Sequence, residues 1–237
     1  MVQRAKPNTS TVDRAAERKT VAVAARPKVL ITGFDAFGGD AVNPSWLAVK
    51  ALHWRVILGH RVAAAQLPTV FDESLQRLRT LLKQHKPALV ICVGQAGGRD
   101  AISLERVAIN VNDARIADNA GDQPVDTPVV PGAPAAYFST LPIKAMLLAL
   151  QRDGVPAEVS QTAGTFVCNH VFYALLHLLA TERGFKRSRG GFIHVPWLPE
   201  QGAPYMALVD IPRGRALAVH AALATRTDAV VSAGAVS

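Results

Sequence analysis

The sequence predicts a single α/β domain with a mainly parallel, twisted central sheet that helices cover on both faces. From residue 27 onward, short β-branched apolar runs alternate with helical patterns, and this alternation is typical of parallel strands joined by helices. Several of the runs are apolar at consecutive positions, as expected of strands buried on both sides. The 237 residues are 49% hydrophobic and 19% charged, a balance that excludes disorder throughout and suits one globular domain.

The predicted strands and helices alternate along the chain. Apolar runs predict strands at 28–32, 61–67, 88–93, 157–161 and 191–195. Apolar residues three and four positions apart predict an amphipathic helix over 70–86, where Leu75, Leu78 and Leu82 share one face. Similar patterns predict helices near 44–54, 138–152, 169–184 and 214–225. Residues 105–111 alternate in the manner of one further strand.

One segment interrupts this alternation. Residues 112–136 run for 25 positions rich in Asp, Gly and Pro without a convincing period. Loops of this length in compact domains are usually functional or disordered. Two interpretations therefore stay open, a solvated excursion and a loop that borders a functional site.

Both ends of the chain are expected to lie outside the folded domain. Residues 1–27 carry six Lys and Arg against two Asp and Glu, so half of the formal charge of +8 lies there. We expect a disordered basic extension over 1–27, an α/β domain over 28–225 and a tail over 226–237. The extension lacks the apolar core of a secretory signal, while an organelle presequence stays open because Arg is plentiful. We interpret the positive charge as solvated rather than as a nucleic-acid surface.

The cysteine content and the hydropathy indicate in which cellular compartment the protein works. Cys92 and Cys168 cannot form a framework of disulfides and are typical of thiols kept reduced inside a cell. The sequence has no run of about 18 apolar residues, which a membrane-spanning helix needs. We therefore expect a soluble, cytoplasmic protein with no membrane and no nucleic acid among its partners.

Cys168 is the candidate nucleophile. It lies in a turn-like segment between a predicted strand and the apolar helix that follows. At a helix N-terminus the dipole favours a thiolate, and free backbone N–H groups can stabilise a developing oxyanion. Cys92 lies in the middle of a predicted strand, so we interpret it as a small buried hydrophobic residue.

His194 is the best-placed base for this thiol. It stands at the end of the apolar run 191–195, and ligands collect at strand ends in open α/β sheets. On spacing alone, a satisfied core histidine is the commoner case. Glu105 could orient the imidazole as triads require, or could pair with a cation such as Arg106. The remaining histidines are expected on the surface or on helices: His53, His60, His85, His170, His177 and His220.

Two loops at predicted strand ends complete the candidate site. The glycine-rich segment 94–99 lacks the Lys-Ser/Thr of a phosphate-binding loop and the spacing of a dinucleotide motif. Phe34 and Phe37 lie on a glycine-bounded loop after the first strand, where they suggest aromatic walls for a small flat ligand. No spacing of Cys, His and carboxylates predicts a metal site.

Several segments resemble, in collinear order, the motifs of the pyroglutamyl peptidase I family, also called pyrrolidone carboxyl peptidases, which are intracellular cysteine omega-peptidases. Two examples are TGFDAFGG at 32–39 and IHVP at 193–196. The other segments are 43–45, 67–69, 97–99, 105–110 and 160–169, so that the resemblance covers about 28–224. The resemblance implies that Glu105, Cys168 and His194 form a catalytic triad.

The resemblance also implies ligand contacts and an assembly. The lactam-binding positions of the family correspond to Phe34, Phe37, the Gln95 backbone, Phe166 and Val167. Arg115 is similar to an arginine implicated near the oxyanion. An α/β/α sandwich, a homotetramer and the absence of a cofactor are further implications. Ala36 stands where many relatives have proline, which would loosen the phenylalanine loop.

These features lead to the hypothesis of a cysteine peptidase that removes N-terminal pyroglutamate from peptides. Cys168 would attack and form a thioester, His194 would transfer protons, and Glu105 would hold the imidazole. Pyroglutamate is a neutral lactam, so apolar walls and a few amide hydrogen bonds suit it. Two alternatives stay open: a related Cys-His-Glu amidase for a different cyclic or acylated amino acid, and a binder of nucleic acid or an anionic surface.

Overall fold

The structure is a computed structural model that describes residues 26–207 and 210–234. Almost all of the predicted basic extension, 1–27, and the last residues of the predicted tail lie outside the described residues. The fold begins at once with the first strand, at Lys28.

A seven-stranded sheet forms the centre of the described residues. Its strands are β1 (Lys28–Phe34), β2 (Val56–Ile57), β3 (His60–Leu67), β4 (Leu89–Gln95), β5 (Ile102–Glu105), β8 (Ala157–Ser160) and β9 (Arg189–Val195). They lie in the order β2-β3-β1-β4-β9-β5-β8. The pairs β2–β3 and β5–β9 are antiparallel and the other neighbours are parallel, which confirms the predicted mainly parallel sheet. Two more strands, β6 (Val107–Ile109) and β7 (Ala136–Phe138), pair with each other in a separate ribbon.

Helices cover both faces of the sheet, which makes the fold a three-layer α/β/α sandwich. One face packs against α1 (Pro44–Lys50), α3 (Ile143–Arg152) and α5 (Asp210–Ala224), and the other against α2 (Phe71–His85) and α4 (Val167–Thr181). Strand β1 shows how the sequence builds two cores, since Val29 and Ile31 enter the first and Leu30 the second. None of the helices in the described ranges combines the length and the apolar character needed to cross a bilayer.

Some element boundaries differ from the sequence prediction. The predicted strand 105–111 is two strands: β5 joins the main sheet, and β6 turns away to pair with β7. The predicted helix 138–152 begins only at Ile143, because Pro142 favours a non-helical conformation in the residue before it. The helix predicted at 214–225 begins earlier, at Asp210, since a proline is tolerated in a first turn whose N–H groups need no partner within the helix.

The long loop 112–136 packs back onto the domain rather than projecting into solvent. Asp118 is buried, and its carboxylate accepts hydrogen bonds from the backbone N–H groups of Phe71, Ala120 and Asp122. The neighbouring Asn119 donates from its side chain to the backbone carbonyl of Ala36 at 2.9 Å. The loop thereby fixes the start of α2 and lies against the loop that carries Phe37.

The segment after α5 also contacts the domain. The Asp228 carboxylate accepts hydrogen bonds from the N–H groups of Lys144 and Ala145, at the start of α3. The preceding N-cap residue, Pro142, makes no side-chain capping bond, so Asp228 supplies the missing cap from elsewhere in the chain. The predicted tail therefore contributes contacts to α3.

Candidate active site

Three parallel strands end side by side at one edge of the sheet. The register pairs Gly94 of β4 with His194 of β9, and Gln95 with Val195. On the other side of β4, β1 runs on to Phe34. The loops that follow these strands therefore meet at the carboxyl edge, where open α/β sheets bind ligands.

Cys168 reaches this edge from the first turn of α4. A Cβ added to Gly94 would lie only 2.7 Å from the Cys168 Sγ atom, so the thiol rests on the backbone of β4 in the space that a side chain would fill. Neighbouring strands lie about 4.8 Å apart. His194 is the register partner of Gly94 and projects to the same face, so the imidazole lies beside the thiol.

His194 is held by a buried carboxylate. Its Nδ1 atom lies 2.7 Å from Oε1 of Glu105, and both side chains are almost completely buried. A carboxylate only accepts hydrogen bonds, so the proton resides on Nδ1 and leaves the Nε2 lone pair free to act as a base. Glu105 is placed by β5, which pairs antiparallel with β9 and aligns Ser103 with His194.

The backbone at the start of α4 offers hydrogen-bond donors beside the thiol. Phe166 occupies the N-cap position and makes no side-chain capping bond. The first N–H groups of a helix have no partner within the helix, and they point along the positive end of its dipole. These N–H groups can stabilise negative charge that develops on an oxygen next to Cys168.

Burial is the largest influence on the titration of Cys168. It raises the pKa of the Cys168 thiol to about 12; the Glu105 carboxylate adds to this rise, whereas the Arg99 guanidinium opposes it. The sequence suggested the opposite direction, because it shows the helix terminus but not the packing above it. A thiol that is protonated at rest needs a base at the moment of attack.

The second cysteine has the structural role that its strand position predicted. Cys92 is fully buried within β4 and belongs to the core that faces α2 and α4. Burial raises the pKa of its thiol to about 12, and the neighbouring Thr32 hydroxyl opposes the rise. Cys92 is therefore inaccessible for chemistry, in contrast to the partly exposed Cys168.

Aromatic rings line the region in front of the thiol. Phe37 and Phe166 lie 5.9 Å apart between ring centroids, and Phe71 packs edge-on against Phe166 at 5.5 Å. Phe34 lies deeper, almost completely buried against Phe192. Val167 is also fully buried, as part of the core beneath α4. Sequence reasoning did not include Phe71 among the candidate site residues, although Phe71 lies on the apolar face of the helix predicted over 70–86.

A polar network that the sequence did not predict fixes the end of β4. The Gln95 side-chain Nε2 donates to Oδ2 of Asp40 at 2.9 Å, and the Gln201 Nε2 donates to the same oxygen at 2.8 Å. Asp40 lies in the loop after β1 and Gln201 in the loop after β9, so two loops meet the end of β4 here. No local motif marks such a junction in the sequence.

Arg115 remains a candidate on the resemblance alone. It is exposed on the long loop, and within the described ranges it makes no hydrogen bond or ion pair. The described residues also hold no cluster of three or more His, Cys, Asp or Glu side chains suited to a metal ion.

The residues at the carboxyl edge suit acyl transfer. A thiol lies beside an imidazole, a buried carboxylate orients that imidazole, and free N–H groups flank the thiol. Attack on a carbonyl needs a nucleophile, a base and donors for the oxyanion, and this edge provides all of them.

Comparisons with known proteins agree in family and fold. A family model described as pyroglutamyl peptidase matches residues 27–233. Pyrrolidone-carboxylate peptidase of Bacillus cereus strain 03BB102 is 52% identical over 212 residues, which are 87% of this chain and 98% of the relative. The crystal structure of pyroglutamyl peptidase I from Bacillus amyloliquefaciens superimposes with a TM-score of 0.85 at 47% identity, covering 88% of this chain and 100% of that one. Pyrrolidone carboxyl peptidase from Thermococcus litoralis gives a TM-score of 0.84 at 36% identity, covering 87% and 99%.

Proposed function

The chain belongs to the pyroglutamyl peptidase family of hydrolases, and we propose that it hydrolyses the amide bond after an N-terminal pyroglutamyl residue of peptides through Cys168, His194 and Glu105. The observation that carries this assignment of roles is the position of the Cys168 Sγ over Gly94, directly beside the imidazole that Glu105 holds. The matched span of 27–233 contains all three residues.

Acylation is the first half of the proposed reaction. Nε2 of His194 takes the thiol proton as Sγ of Cys168 attacks the carbonyl carbon of the pyroglutamyl residue. The N–H groups at the start of α4 stabilise the resulting oxyanion. When the tetrahedral intermediate collapses, the C–N bond breaks, the imidazolium gives its proton to the leaving amine, and a thioester remains on Cys168.

Deacylation returns the enzyme to its resting state. His194 Nε2 removes a proton from a water molecule as the water oxygen attacks the thioester carbonyl. The C–S bond then breaks, the proton returns to Sγ, and free pyroglutamate leaves. Throughout both halves, Glu105 accepts the Nδ1–H bond and stabilises the imidazolium that forms twice in the cycle.

The chemistry of the lactam explains the character of the pocket. A pyroglutamyl residue carries no charged α-amine, so a pocket for it needs apolar walls more than an acidic anchor. Phe37 and Phe166 provide such walls next to Cys168. The Gln95 backbone lies at the end of β4, where the Asp40 and Gln201 side chains hold the strand end in place for a hydrogen bond with the lactam amide.

Assembly and location complete the proposal. We propose a homo-oligomer, a tetramer by the family resemblance, that works in the cytoplasm. The antiparallel edge strand β2 supports association, because Trp54, Val56 and Leu58 on and beside it expose 65%, 46% and 50% of their surfaces. A catalytic thiol and a second free thiol fit a reducing compartment.

Replacement of each cysteine in turn tests the assignment. Cys168→Ala should lower the release of a chromophore from a pyroglutamyl amide by about 10³-fold or more, because it removes the nucleophile. Cys92→Ala is the matched control and should keep activity within a few fold, with a loss of thermal stability. Prolyl and glutamyl amides should not be cleaved, and a thiol-blocking reagent should inactivate the wild type.

Two results would count against this function. Turnover that persists in a folded Cys168→Ala protein would remove Cys168 from the mechanism. Turnover of other acyl or cyclic amino-acid amides without any cleavage of pyroglutamyl amides would instead favour the related amidase.

A further inference from the structure

Arg99 joins three segments of the candidate site. It lies in the loop after β4, and its Nη1 atom donates to Oε1 of Glu105 at 2.8 Å. Its Nη2 atom donates to the backbone carbonyl of Thr162 at 3.2 Å. Thr162 belongs to the segment between β8 and α4, so one guanidinium contacts both the carboxylate behind His194 and the chain that leads to Cys168.

The Glu105 carboxylate depends on this contact. Glu105 is fully buried, and a buried carboxylate is costly unless it is paired and hydrogen-bonded. Its Oε1 atom faces both His194 and Arg99, while Oε2 has no hydrogen-bond partner among the described residues. The histidine is charged only during part of the proposed cycle, whereas a guanidinium is charged throughout. Arg99 is thus the permanent counter-charge of Glu105.

We propose that Arg99 is a positioning residue that holds the Glu105 carboxylate on His194 and, through the Thr162 carbonyl, keeps the start of α4 aligned with that pair. This inference rests on the proposed function, because it assigns Arg99 a part in the same reaction. Among the described residues, the side-chain hydrogen bonds of Arg99 go to Glu105 and to the Thr162 carbonyl, so its effect on geometry passes through Glu105 and the backbone before Cys168.

The charge and the planar shape of the Arg99 side chain have separable consequences. The positive charge opposes the effect of Glu105 on the thiol, and so lowers the pKa of Cys168. The planar fork sets geometry, because two N–H groups on one rigid plane reach two acceptors at once. Lysine keeps the charge but lacks the fork, and glutamine lacks the charge.

Steady-state kinetics on a pyroglutamyl amide test whether Arg99 aligns the catalytic groups. Arg99→Gln should lower kcat by about tenfold to a hundredfold with KM changed less than about threefold, since the chemical step loses alignment while the pocket keeps its walls. Arg99→Lys should recover part of the lost kcat. Arg79→Gln is the matched control, because Arg79 forms an ion pair with Glu182 on a half-exposed surface and should leave both constants unchanged.

Alkylation of Cys168 by iodoacetamide at pH 8 tests the effect of the Arg99 charge on the thiol, without any substrate. Arg99→Gln should slow alkylation several-fold, because loss of the positive charge raises the pKa of the thiol. Arg99→Lys should stay close to the wild-type rate. A purely structural role predicts the reverse for Arg99→Gln, since a loosened segment before α4 would expose the thiol and speed its alkylation.

These readouts separate this inference from the proposed function. If the wild type fails to cleave pyroglutamyl amides but Arg99→Gln still slows alkylation, the proposed function is wrong and the influence of Arg99 on Cys168 stands. The inference is overturned if both Arg99 variants keep kcat within about twofold of the wild type, or if Arg99→Gln alkylates faster than the wild type.

Discussion

The position of the Cys168 thiol depends directly on Gly94, because the thiol occupies the space that a side chain at this position would fill. A Cβ at position 94 would lie 2.7 Å from the Cys168 Sγ and 2.9 Å from the Phe192 ring, both closer than atoms pack. Gly94→Ala should therefore displace the thiol from His194 and lower kcat/KM on a pyroglutamyl amide by about a hundredfold, since a displacement of about 1 Å has that effect on a reacting group. Steady-state kinetics on the folded variant measure the loss.

Gly184→Ala is the matched control for that substitution. Gly184 lies in the short 3₁₀ turn Arg183–Phe185, and a Cβ there would meet no atom within 4 Å. Its activity should equal that of the wild type. Wild-type kcat/KM in Gly94→Ala would mean that the thiol does not react from its place over β4.

At the residue scale, sequence position separated the cysteines but did not reveal their titration. A cysteine inside an apolar strand has one sensible interpretation, and Cys92 is indeed core. The place of Cys168 at the start of a helix makes it the candidate nucleophile. The direction in which its pKa shifts, however, depends on how much protein covers the thiol, and that is a property of the packed fold. The junction of Asp40, Gln95 and Gln201 could not be predicted either, because it joins a strand end to two loops that are distant in sequence.

At the scale of elements, α2 depends on a residue from a distant loop. Its N-cap residue, Val70, has no side chain that can cap, and the Asp118 carboxylate accepts the Phe71 N–H instead. Asp118→Ala should lower the free energy of unfolding by about 2 kcal/mol, because it removes this cap and two bonds to the loop backbone. Unfolding in urea measures the change.

The same substitution should also weaken substrate binding, because the loop lies against the one that carries Phe37. Asp113→Ala is a suitable control, as Asp113 is exposed in the same loop and contacts Thr165 through its backbone only. If the two variants unfold at the same urea concentration, Asp118 does not cap α2.

Elements with a strong local pattern were predictable, and those defined by distant partners were not. The amphipathic pattern over 70–86 gave α2 within a residue at each end. Helix α4 begins at Val167, two positions before the prediction, because Phe166 offers none of the capping side chains that mark a helix start. Strand β5 is only Ile102–Glu105, and it takes its place from pairing with β8 and β9 rather than from a pattern of its own.

At the scale of the whole molecule, the sheet divides the protein into two cores with different contents. The core under α1, α3 and α5 consists mainly of aliphatic side chains and Met, and α5 also buries the charged side chain of Arg215. On the opposite side, α4 brings His170 into contact with Phe71, and its Nδ1 atom lies 3.0 Å from Oδ1 of Asn112. This face therefore contains a buried titratable group that the proposed reaction does not use.

The stability of the whole fold should accordingly depend on pH in a defined window. Burial lowers the pKa of His170 from 6.5 to about 4, although Asp72 and the Phe71 backbone oppose the shift. Between these values the unfolded chain binds a proton that the folded protein does not, so stability is fully present above pH 6.5 and falls as the pH drops toward 4. The loss amounts to roughly 3 kcal/mol, a large share of the 5–15 kcal/mol typical of a domain.

Urea unfolding at a series of pH values tests this expectation. His170→Asn removes the titration, so its stability should vary less between pH 6.5 and pH 4 than that of the wild type, whatever its stability at neutral pH. His220→Asn is the control, because His220 is exposed on α5 and should leave the pH dependence unchanged. Equal slopes in the wild type and His170→Asn would show that His170 is not the group whose protonation opposes folding in acid.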